Sequence, residues 1–116
     1  MLTIAVLVFA IGALGGLYMA SRVLGGHLAP WAVSLLHAAL GATGLVLTGI
    51  VVLGPGGMTG IVPIALLVLV VAALGGFFLA SFHARKQLPP RAVVFVHAGA
   101  AVTGFLLLAG GAFHFL

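Results

Sequence analysis

Four apolar runs of about twenty residues each take up nearly all of the chain, and that length matches a bilayer's hydrocarbon core of roughly 30 Å at 1.5 Å per helical residue. They extend from Thr3 to Leu24, Pro30 to Leu53, Ile61 to Phe82 and Pro90 to Phe113. Each is expected to be a helix. Between them lie Gly25-Gly26-His27-Leu28-Ala29, a Gly-rich stretch from Gly54 to Gly60, and a segment from His83 to Pro89, which carry the glycine and proline punctuation of loops. Of the 116 residues, 65% are hydrophobic, four are Lys or Arg, and none is Asp or Glu. Such a chain has too little polar surface to fold in water, so the expected fold class is an all-α integral membrane protein. A single membrane domain over residues 1–116 is expected, with no soluble domain.

The same composition removes several functions. Four cations cannot form a phosphate-tracking groove, so nucleic acid is not a partner. Without cysteine there is no disulfide framework, iron–sulfur cluster or thiolate metal site. No nucleophile, acid and base stand together, so the chain has no catalytic constellation of its own and is at most an electron-transfer subunit. Met1-Leu2-Thr3 lacks the basic start of a secretory signal, and the first run recurs later in the chain, so it is read as retained.

Shifting the chain by sixty positions aligns Ala13-Leu14-Gly15-Gly16 with Ala73-Leu74-Gly75-Gly76 and Ala20-Ser21 with Ala80-Ser81. Further along it aligns Leu28 with Leu88, Pro30 with Pro90, Ala32-Val33 with Ala92-Val93, His37-Ala38 with His97-Ala98, and Thr43-Gly44 with Thr103-Gly104. About fifteen identities in about thirty-seven ungapped positions exceed what an Ala-, Leu-, Gly- and Val-rich composition gives by chance. The chain therefore reads as two tandem copies of a helical hairpin, about 3–53 and 61–113, forming a four-helix transmembrane bundle. Because each copy crosses twice, the copies are parallel, related by a pseudo-two-fold axis along the membrane normal, and equivalent residues share a depth. Arg22, Arg85, Lys86 and Arg91 all fall at the turns inside the copies. The positive-inside rule then places the 25–30 and 83–91 loops in the cytoplasm and both termini outside, in a bacterial or archaeal inner membrane.

His37 and His97 each lie seven residues beyond a matching proline, about 10 Å into the span. An ionisable side chain at such a depth is costly and marks a function by default. Two imidazoles at one depth, related by a two-fold axis, have the arrangement that holds one iron from both faces of a porphyrin. Small residues surround them: Gly41 and Gly44 on the His37 stripe, Ala101 and Gly104 on the His97 stripe, and Gly16 and Gly76 at similar depth on the other helices. A macrocycle pressed against that backbone would direct its propionates toward Arg22, Arg85, Lys86 and Arg91. The second ring nitrogen of each imidazole is expected to find a neighbouring carbonyl, a hydroxyl or water; Ser34 offers the hydroxyl in the first copy only, since Val94 replaces it in the second. The glycine and alanine ridges equally serve helix packing alone, and topology alone accounts for the cations.

With His37 and His97 on two facing helices among small residues, the chain resembles the membrane-embedded b-type cytochromes and the haem-carrying anchor subunits of succinate dehydrogenase. The resemblance is one of architecture. It implies one bis-His haem b and electron transfer within a larger respiratory or redox complex, with quinone among the candidate partners. A two-haem wire needs two histidine pairs, and this chain has one. Small multidrug exporters depend on a buried carboxylate that this chain lacks. The alternative is a cofactor-free accessory subunit that packs through its glycine ridges against other membrane subunits or further copies of itself.

Overall fold

The computed structural model describes residues 1–116 as four helices: α1 (Leu2–Leu24), α2 (Trp31–Leu53), α3 (Val62–Ala84) and α4 (Arg91–Ala112). Each is long and apolar enough to cross a membrane. Leu, Val, Ala and Ile dominate their interiors, and most backbone hydrogen bonds lie within the helices, the self-contained pairing that hydrocarbon requires. Large apolar side chains such as Leu14, Leu17, Leu67, Phe77 and Val96 are exposed around the bundle. That surface suits lipid and not water. The bundle measures 44 × 24 × 19 Å, and its long axis accommodates a spanning helix with its loops.

The chain punctuation explains where the helices start and stop. Pro30 and Pro90 stand one residue before α2 and α4 with ψ of 139° each, an extended turn into the helix. The third helix continues through His83 and Ala84, two residues beyond the expected end at Phe82, because no glycine or proline interrupts it there. It ends in a six-to-one bond from Gln87 N–H to the Phe82 carbonyl, with Lys86 at φ 56°. The first helix ends in the same way, by His27 N–H to the Arg22 carbonyl, but with Gly26 at the left-handed position. Glycine occupies that conformation without a Cβ penalty, whereas lysine is strained there. Lys86→Gly should therefore raise thermal stability in detergent by about 0.5–1 kcal/mol, and an unchanged or lowered melting temperature would count against this account of the turn.

Around the bundle the order is α1, α2, α3, α4. Each helix packs on its two neighbours, and no Cα of α1 comes within 8 Å of one on α3, nor of α2 within 8 Å of one on α4. The two hairpins, α1–α2 and α3–α4, are more closely packed internally than against each other. They meet mainly at the end that carries the termini, through a core of Ala5, Val6, Ala65, Leu69 and Leu108 with Phe9, Leu45 and Phe105 around it. Residues sixty apart hold corresponding places: Ala5 and Ala65 are both fully enclosed, as are Thr48 and Leu108. The Thr48 hydroxyl donates 2.8 Å to the Gly44 carbonyl of its own helix, so its burial leaves no polar group unpaired.

Candidate functional site: a histidine pair in an inter-hairpin cleft

Away from the terminal core the hairpins separate. A cleft of about 420 Å³ runs between them toward the basic end of the bundle, bounded by all four helices. This volume lies within the range of about 300–1,000 Å³ typical of small-molecule sites. His37 enters it from α2 and His97 from α4, the two helices that stand diagonally across the bundle.

Each imidazole is held by a backbone carbonyl of its own hairpin, twenty-five residues earlier. His37 Nδ1 lies 2.8 Å from the Gly12 carbonyl and His97 Nδ1 lies 2.7 Å from the Ala72 carbonyl. A carbonyl only accepts, so both Nδ1 atoms carry the proton and donate it. In the neutral rings Nε2 is then the unprotonated nitrogen, with its lone pair available to a ligand. No side-chain nitrogen is sealed away without a partner, so each Nε2 faces accessible space. Ser34 lines the cleft but is not the partner of His37. Which residue supplies the carbonyl escaped a reading by residue type, because every residue carries one.

Glycine makes this seating possible. A Cβ on Gly16 would stand 2.9 Å from His37 Cε1, and one on Gly76 would stand 3.1 Å from His97 Cε1. Both distances are too short for ordinary contact, so α1 and α3 need glycine where the imidazoles lie against them. The two ring centres are 6.3 Å apart and their planes meet at 79°.

The remaining expected site residues divide. Gly41 and Ala101 line the cleft, and a Cβ added to Gly41 would meet nothing within 4 Å. Gly44 and Gly104 do not line it. They receive Phe9 and Leu69 respectively, whose side-chain carbons would stand as close as 2.6 Å and 2.7 Å to an added Cβ. Arg22, Arg85, Lys86 and Arg91 are exposed at the same end of the bundle, and none lines the cleft. Arg22 donates to the Leu28 carbonyl at 3.3 Å, and Arg85 to the Ser81 carbonyl at 3.1 Å while lying 4.7 Å over the Phe82 ring.

One feature at the mouth has no counterpart in the other hairpin. His83 of α3 lies flat on Trp31 of α2, with ring centres 3.8 Å apart and planes 7° from parallel. Sixty positions away these places are taken by Val23 and Arg91. Comparisons with known protein families, curated proteins and solved structures return no match.

Proposed function

We propose that the protein is a membrane-embedded b-type haem protein in which His37 and His97 ligate one iron from opposite faces. The observation that carries this reading is that one imidazole from each hairpin enters the same cleft, from diagonally placed helices. Their ring centres lie 6.3 Å apart. The donated Nδ1 protons support it further, because a hydrogen bond from the far nitrogen fixes the tautomer and orientation of a ligating histidine.

The residues present fit a porphyrin. Imidazole is a usual axial ligand of haem iron, and the cleft walls between the hairpins are alanine, glycine and apolar side chains. Bound there, haem supplies one-electron chemistry. Held by His37 and His97 together, haem would offer oxygen or substrate no free position, so the chemistry it would supply is electron transfer. The Gly12 and Ala72 carbonyls hold the two imidazoles in one tautomer, and the walls beside them are apolar.

The sixty-residue correspondence of the two hairpins supports a duplicated unit with the histidines at one depth. By the positive-inside rule the basic end is cytoplasmic and both termini lie outside. Since His37 is the seventh residue of α2, about 10 Å from that end, electrons are exchanged on the basic side with a partner subunit of a larger redox complex. Orientation is tested with Met58→Cys and Gln87→Cys in intact cells. An impermeant thiol reagent should label position 58 from outside and reach position 87 only after the membrane is opened, and the reverse pattern would invert the topology.

The deciding experiment is an absorption spectrum of the protein purified from cells with ample haem supply. A Soret band with a sharp α band on reduction is expected, at one haem per chain. A colourless protein that also takes up no added haem would overturn the reading in favour of a cofactor-free packing subunit.

A further inference from the structure

The cleft is nearly symmetric in shape but not in chemistry. Apart from the histidine pair, its polar side chains are Ser34 on α2 and His83 on α3. Both belong to the flank where α2 and α3 adjoin. Their counterparts sixty positions away are Val94 on α4 and Val23 on α1, which line the opposite flank and are apolar. One flank therefore offers a hydroxyl and an imidazole, and the other offers two valines.

His83 is also held in place. Stacking on Trp31 at 3.8 Å and 7° fixes the plane of its ring across the junction of the hairpins and restricts its nitrogens to directions in that plane. An imidazole so placed donates an N–H to an oxygen anion, and pairs with it more strongly when protonated. The four Lys and Arg side chains do not line the cleft: Arg22 and Arg85 are bonded to Leu28 and Ser81, and Lys86 and Arg91 are exposed outside it. The chain has no acidic side chain to occupy His83 or Ser34 in place of a ligand.

We propose that Ser34 and His83 form a one-sided seat for the carboxylate edge of the cleft's ligand, so that an anionic tetrapyrrole enters in one orientation with that edge toward α2 and α3. This rests on the haem reading above. In that reading the histidine pair holds the metal, and the seat decides which edge of the ring faces which flank.

The test compares haem with its dimethyl ester, which keeps the iron and ring but lacks the anionic edge, as ligands of the full-length protein in detergent. Wild type should bind the free acid roughly tenfold or more tightly than the ester, the scale of a charge-assisted hydrogen bond. Ser34→Val combined with His83→Val, which gives this flank the chemistry of the other, should abolish that preference. Affinity for the ester and the bis-His spectrum should stay as in wild type. A preference that persists in the double variant overturns the seat, as does a wild type that binds acid and ester equally, a comparison that needs no variant to fold. Equal binding of the two leaves the histidine pair standing, whereas a wild type that binds neither overturns both proposals.

Discussion

His37→Ala and His97→Ala should each replace the low-spin spectrum with that of a five-coordinate iron, and the double variant should retain no stoichiometric haem. Either single variant leaves one imidazole with its backbone bond intact, to Ala72 or to Gly12, so one axial ligand survives. The loss in affinity should exceed the roughly 10–100-fold that even an outer hydrogen-bond partner of a metal ligand is worth. Because the rings belong to different hairpins and each is anchored within its own, neither substitution should disturb the other ring. The terminal core of Ala5, Val6, Ala65, Leu69 and Leu108 lies away from both, so the bundle should still assemble. Spectra and haem-to-protein ratios of the three variants check this directly. If the double variant keeps the wild-type spectrum, the histidines are not the ligands.

Much of this arrangement was legible in the sequence for a simple reason. A bilayer demands long apolar helices, and Leu2–Leu24, Trp31–Leu53, Val62–Ala84 and Arg91–Ala112 stand out against three short connectors that hold four of the five prolines. The sixty-residue shift paired His37 with His97 before any geometry was known, and the structure brings their ring centres to 6.3 Å. What the shift could not show is whatever departs from it. The Trp31–His83 stack joins two positions that lack counterparts, on helices of different hairpins, so neither spacing nor self-comparison points to it. Gly44 and Gly104 lie on the histidine stripes, yet seven residues along a helix is about 10 Å. The cleft still reaches Leu45 and Phe105 at that level, but Phe9 and Leu69 occupy the space beside the two glycines.

Gly16 and Gly76 are different, because the imidazoles themselves occupy the space a side chain would need. Gly16→Leu should eliminate the site: a Cβ alone would stand 2.9 Å from His37 Cε1, and the remaining leucine carbons extend into the same cleft. The ring cannot retreat while keeping its 2.8 Å bond to the Gly12 carbonyl, since that carbonyl lies one turn away on the same helix. The substitution should therefore break the bond, free the tautomer and displace the His37 ring. Gly76→Leu should act in the same way on His97 through its bond to Ala72. The alanine variants grade the effect. Gly76→Ala meets its imidazole at 3.1 Å and is relieved by a smaller shift than Gly16→Ala at 2.9 Å, so the first should weaken haem binding less than the second. Titration of haem into the four variants, alongside size-exclusion profiles to confirm an intact bundle, measures the order. Full haem binding in Gly16→Leu with an unaltered spectrum would show that the His37 ring does not need the α1 surface, and would remove the geometric basis for pairing it with His97.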